Sequence, residues 1–253
     1  MSDLLYSVEG GIARLVLNRP EKRNALSAGL VSELKVGIAE SARDAEVRVV
    51  LLSGSGKDFC SGADLSGFQK GFDAGVLENM ADASGMAEMF LAMRRHPRPI
   101  VAAVRGRALA GGCGLATAAD VILASETAVF GYPEVNIGFI PAMVMAILRR
   151  SVSEKRAFDL ITMGETISAQ TALEIGLVTR VLSDETFDLE VDAYVNKLAV
   201  KPASAVMLSK QLLYHIDGMG FEAAVQSGVQ MNAIGRGTAD FRAGIEKFLN
   251  KMV

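Results

Sequence analysis

The sequence predicts an α/β fold with a helical final third, and two patterns carry that prediction. Short apolar runs bounded by turn residues alternate with amphipathic segments through about residue 150, which reads as strand–loop–helix repetition. From Ser153 onward the periodicity becomes mainly helical, punctuated by Pro202, Gly218, Gly220, Gly235 and Gly237. The 253 residues, half of them hydrophobic, are enough to bury a large core with apolar surface left over for an interface.

Tyr6–Glu9 and Ile12–Asn18 read as strands joined at Gly10-Gly11, a hairpin signal. The polar stretch "NRPEKRNALS" ends at Ser27, a good N-cap. Leu30, Leu34 and Ile38 then recur four apart, as on one face of a helix. Val47–Leu52, Ile100–Val104 and Val121–Ala124 are continuous apolar runs, the pattern of fully buried strands. Phe68 to Ser84 has weak periodicity and is expected to be a mobile lid. Ser168 to Leu173 reads as a short capped helix closed by Gly176, and "LVTRVL" as an extended connection. Thr186–Val200, Ala203–Ile216, Phe221–Ile234 and Thr238–Lys251 read as helices. The expected division is a core domain over residues 1–195 and a helical region over 196–253.

Several functions are excluded at this stage. A net charge of −3 gives no electrostatic case for nucleic acid. The longest uncharged stretch, Val135 to Leu148, is too short for a membrane span and contains Asn136 and Pro141. The N-terminus lacks a signal-peptide pattern, and Cys60 and Cys113 do not make a disulfide framework, so the expected location is cytoplasmic. "SGSGKD" misses phosphate-loop spacing because Leu51 stands where the first glycine belongs. His96 and His215 have no nucleophile elbow beside them, and no metal-ligand spacing is present. Arg94, Arg95, Arg98, Arg105 and Arg107 are expected on an ordinary solvated or interface face.

What remains is two backbone turns and one carboxylate. In "FCSGADL", Gly62 permits an unusual backbone conformation that frees the N–H groups of Ser61 and Ala63. In "ALAGGCG", Gly111 and Gly112 open a helix whose first N–H groups lack partners. Two donors from two loops can form an oxyanion hole. Glu134 follows Pro133 in the apolar segment "FGYPEVNIGFIPA", where desolvation should raise its pKa and suit it to acid–base work.

These segments, with "LNRPEKRNALS" and "LITMGETISAQTALEIGLVTRVL", resemble the crotonase superfamily of enoyl-CoA hydratases and isomerases along nearly the whole chain. The resemblance implies a spiral of ββα turns with a C-terminal helical trimerisation region, assembled as a trimer or hexamer. It implies an acyl-CoA substrate and no separate cofactor or metal. Its motif positions place the thioester oxygen between the amides of Ser61 and Gly111. They place CoA contacts at Lys22, Arg23, Ala25, Ser61, Gly62, Ala63, Asp64, Leu65, Gly111 and Gly112. Glu134 matches one of two family glutamates, whereas the other position is Gly114, a departure expected to enlarge the pocket for a branched, methylglutaconyl-type acyl group. Three readings stay open: hydration of a 2-enoyl-CoA with Glu134 alone, Δ3,Δ2-enoyl-CoA isomerisation, and CoA-thioester binding with little chemistry.

Overall fold

A computed structural model describes residues 2–66 and 74–250. Strands β1 (Leu4–Glu9) and β2 (Ile12–Leu17) pair antiparallel around Gly10 and Gly11, both at positive φ where side-chain-bearing residues are strained. Helix α1 (Ala28–Arg43) begins where Ser27 Oγ accepts the Leu30 N–H at 3.1 Å, and it buries Leu30, Leu34 and Ile38 along one stripe. Then follow β3 (Val49–Gly54), α2 (Val76–Arg95), β4 (Ile100–Val104), β5 (Arg107–Leu109) and α3 (Gly111–Thr117). Strands β6 (Val121–Ser125) and β7 (Val129–Gly131) lead into a short 3-10 turn, Pro133–Ile137. Helices α4 (Ala142–Ser151) and α5 (Glu154–Met163) come next, before β8 (Thr166–Ser168), α6 (Ala169–Glu174) and β9 (Arg180–Leu182). The chain ends in α7 (Phe187–Ala199), α8 (Ala203–His215), α9 (Phe221–Arg236) and α10 (Ala239–Asn250).

Successive turns of the chain feed two sheets. The larger has the order β1-β2-β3-β4-β6-β9, parallel after the first pair; the smaller has the order β5-β7-β8. Side chains alternate between the faces of the large sheet. Val50, Leu52, Ala102 and Val104 enter the main core under α1 and α2. Val49, Leu51, Val101, Ala103 and Leu123 point the other way and are covered by Phe187, Val191 and Val195 of α7. That helix spans the expected division at 195–196 and runs on to Ala199, the chain turning at Pro202 before α8.

Of the segment Phe68 to Ser84, read as a lid, 68–73 lie outside the described residues, and from Val76 onward it belongs to a regular helix of 20 residues. Its first half leaves Val76, Leu77 and Met80 exposed, and its buried residues, Met89, Phe90 and Met93, fall near its end. A helix that packs along only part of its length shows no sustained stripe, so its periodicity was weak.

Candidate active site

The two glycine turns are brought against each other because the segment after β3 pairs with the edge of β5. Cys60 N–H donates to Arg107 O and Leu109 N–H donates to Cys60 O, at 2.9 and 3.0 Å. Gly62 adopts φ +101°, and a Cβ there would stand 2.7 Å from Ala110 Cβ. Ala110 itself takes φ +51°, a conformation that costs a non-glycine residue stability and sets the direction in which α3 begins. A Cβ on Gly112 would lie 2.4 Å from Cys60 O, so only glycine lets α3 approach this closely.

Hydrogen bonding decides which amides remain for a ligand. Ser61 N–H donates to Arg23 O at 3.0 Å and is spent, which corrects its expected place in the oxyanion hole. Leu26 spans the next two residues, its N–H donating to Gly62 O and its carbonyl accepting from Asp64 N–H. The Ala63 N–H between them has no partner among the described residues. Gly111 N–H, at the first position of α3, has none there either. A Cβ built on Gly111 would be 3.9 Å from Ala63 N, so the two free donors border one space. Ala63 and Gly111 thus carry the two unspent amides of these turns among the described residues.

Glu134 sits in the 3-10 turn after β7, between Pro133, which fixes the turn's entry, and Gly138, whose φ of +72° ends it. Its side chain is buried at 8% exposure, and its Oε2 has no hydrogen-bond partner among the described residues. Burial holds its pKa above the usual value of 4.5, as expected of a base removed from water. Beneath it the fully buried Tyr132 shares a hydrogen bond of 3.1 Å with Thr117 of α3. That contact ties the turn bearing the carboxylate to the helix bearing Gly111.

Three side chains that sequence reasoning did not find pack against the glycines of α3. Met86 of α2 lies 3.9 Å from the Cβ position of Gly111, and Phe90, one turn on, lies 3.6 Å from that of Gly114. Val144 of α4 occupies the remaining space, its Cγ1 only 2.0 Å from the Gly114 Cβ position. Gly114 therefore does not enlarge the pocket: the volume its side chain would fill is taken by valine. No local signal relates residues so distant in sequence.

A profile of the family described as Enoyl-CoA hydratase/isomerase matches residues 7–253. The chain belongs to this family. A Thermus thermophilus protein named as a candidate enoyl-CoA hydratase is 37% identical, covering 96% of both chains. The 2,3-dehydroadipyl-CoA hydratase of Escherichia coli is 32% identical, covering 99% of this chain and 97% of its own. Among solved structures, an enoyl-CoA hydratase from Mycobacterium smegmatis superposes with a TM-score of 0.94 at 33% identity, covering 98% of this chain and 96% of its own. The architecture is the crotonase fold, and the chain is a hydro-lyase-type enzyme of the enoyl-CoA hydratase/isomerase family.

The loop that this family member was expected to use for CoA is built around Arg19 and Asn24. Asn24 is wholly buried, accepting from Arg19 N–H and donating to Ser55 O and Asp58 O. Arg19 bonds Ala25 O and pairs with Asp64 at 3.0 Å. Ser66 and Arg19 hold the Asp64 carboxyl below its usual pKa, so Asp64 shapes the loop with a carboxylate already committed. Lys22, Arg23 and Leu65 are exposed beside it. Gly54 and Ser55 of "SGSGKD" pack against this loop, which fits the rejected phosphate-loop reading.

The remaining polar features are structural. Arg94 pairs with Asp217 and stacks on Tyr214, Arg105 stacks on Phe187, and Arg107 pairs with Asp58. His96 is buried against Ser41, with its pKa pushed down to about 4 by burial. Lys210 bonds Met93 O, Arg98 O and Asp120, anchoring α8 on the core. No cluster of His, Cys, Asp and Glu among the described residues has metal-binding geometry, and no described helix is long and apolar enough to cross a membrane.

Proposed function

We propose that this protein hydrates a 2-enoyl-CoA with Glu134 as its sole acid–base group. The observation that carries this reading is the buried Oε2 of Glu134, without a partner among the described residues, on a turn that the Tyr132–Thr117 hydrogen bond ties to the helix opened by the unspent Gly111 amide. Ala63 and Gly111 receive the thioester oxygen, and each donor stabilises the developing enolate by about 3 kcal/mol. The Glu134 carboxylate takes a proton from water as that oxygen bonds to C3, and the electron pair of the double bond moves into the thioester enolate. Glu134 then returns the proton to C2 and the thioester re-forms, so the carboxylate ends as it began.

Δ3,Δ2-isomerisation is a second reading, favoured by the valine beside Gly114. A single carboxylate moving a proton between two carbons needs no bound water. Incubation with crotonyl-CoA and 3-hexenoyl-CoA separately tests both: hydration of the first supports the leading reading, and conjugation of the second without hydration of the first replaces it. Tight CoA-thioester binding with neither reaction leaves the binding-protein reading standing.

We propose further that the chain works as a trimer or hexamer. Phe221, Val225, Val229 and Ile234 of α9 and Phe248 of α10 are exposed, and neither helix buries a residue within the described chain. A monomer by light scattering at micromolar concentration overturns this. The proposed location is cytoplasmic, in keeping with two buried unpaired cysteines. A resident pool in an oxidising compartment would contradict it.

A further inference from the structure

Gly111 and Gly114 lie one turn apart on α3, and the residues facing them are matched. Met86 stands opposite the first and Phe90 opposite the second, on successive turns of α2. Val144 approaches Gly114 from α4 at the start of the segment that follows Glu134. An ideal Cβ on Gly114 would be 2.0 Å from Val144 Cγ1 and 2.9 Å from its Cβ, distances no real side chain tolerates. Valine in a helix holds essentially one rotamer, so it cannot swing aside without moving α4. That helix is fixed by Val144 and Leu148, both buried in the core.

We infer that Val144 is a specificity-determining residue: it fills the space at Gly114 with methyl groups and gives the acyl site a dry wall that accepts alkyl substituents. The inference rests on the enoyl-CoA reading and deepens it by naming what the site takes next to the reacting carbons. The wall formed by Gly114, Val144 and Phe90 offers no polar partner. A hydroxyl or carboxylate on that part of an acyl chain would lose its water without replacement, whereas an alkyl group loses nothing. The same packing leaves water to Glu134 alone, because any side chain at position 114 is excluded while valine stands at 144. Positions 114 and 144 thus behave as one unit, and a second carboxylate can enter only if the valine shrinks.

The test uses Gly114→Ala, Val144→Ala, their combination, and Gly114→Glu with Val144→Ala. Thermal unfolding should show Gly114→Ala destabilised and the double alanine variant recovering most of the loss. With crotonyl-CoA, Val144→Ala should raise KM by on the order of 10-fold, as removal of apolar contacts from a substrate pocket does, and kcat should fall less. The same variant should narrow the preference for crotonyl-CoA over an enoyl-CoA hydroxylated at C4. A Gly114→Ala protein as stable as the parent, or no recovery in the double variant, overturns the packing. An unchanged KM in Val144→Ala overturns the placement of this wall against the acyl chain. Faster hydration by Gly114→Glu/Val144→Ala than by Val144→Ala supports the exclusion of a second carboxylate, and equal or slower hydration overturns it. If the parent turns over no enoyl-CoA, the proposed function falls, while the thermal comparison still decides the packing.

Discussion

Two adjacent glycines in α3 should respond to the same substitution in opposite ways. In Gly112→Ala the new methyl would sit 2.4 Å from Cys60 O, 2.7 Å from Cys60 Sγ and 2.8 Å from Cys60 C. Two of those atoms are backbone held in the pairing with β5, so the strain cannot be relieved by a side-chain rotation. Overpacking of this kind costs about 1–3 kcal/mol, and rigid contacts place it near the top of that range. The helix propensity gained on replacing glycine returns up to about 1 kcal/mol. A net loss of about 2 kcal/mol lowers Tm by roughly 4–8 °C in a chain of this size. In Gly111→Ala the methyl meets Leu26 Cδ1 at 3.6 Å and Ala63 N and Met86 Sδ at 3.9 Å, all ordinary contacts. Stability should hold or rise, but the methyl crowds the space between the two amides. Hydration should then fall by about 10- to 100-fold, short of or equal to the loss of a whole donor. Thermal unfolding followed by circular dichroism and initial rates with crotonyl-CoA measure both effects. A Gly112→Ala protein with the parent's Tm, or a Gly111→Ala protein with the parent's rate, would refute the geometry proposed for the two turns.

Other outcomes follow from the same structure. Tyr132→Phe removes the hydroxyl that bonds Thr117 and should lower kcat several-fold with KM little changed, at a stability cost of about 1 kcal/mol, read from steady-state kinetics and melting. Because burial holds the Glu134 pKa above 4.5, kcat should rise with pH through that raised value, and a limb at the ordinary glutamate position would contradict the burial. The protonated form is the one folding favours, so its stabilisation is complete below the unfolded pKa and is lost as pH rises through the folded one. Glu134→Gln should therefore gain stability relative to the parent as pH rises across that interval. His96 shows the opposite limb: its pKa falls from 6.5 to about 4, so the unfolded chain binds the proton first and stability drops as pH falls between those values. His96→Gln should flatten that drop in melting curves taken across the interval. Lys210→Met leaves the half-buried Asp120 without its cation, with Ile100 N–H and Tyr214 O–H left to hold it, and should lower stability measurably by denaturant titration.

The parts of this protein visible in its sequence are those set by neighbours along the chain. The hairpin at Gly10-Gly11, the caps at Ser27 and Ser168, and the buried strands each follow from a few consecutive residues. Glu134 was found because proline before it and apolar residues around it mark a desolvated turn. The choice between Ser61 and Ala63 was not local. Gly62 frees both amides in principle, and it is Arg23, in another loop, that takes one of them. Gly114 misled for a similar reason, since an absent side chain reads as empty space until Val144 arrives from α4. The first half of α2 was obscured because little of this chain covers it, so the alternation that marks a packed helix never developed.

The central claim is that one carboxylate, Glu134, performs the acid–base chemistry at the oxyanion site of Ala63 and Gly111. Glu134→Gln keeps the shape of the side chain and removes the base. With crotonyl-CoA, its kcat should fall by at least about 100-fold while acyl-CoA affinity, measured by calorimetry, stays close to that of the parent. A variant that hydrates within a few-fold of the parent would show that another group moves the proton.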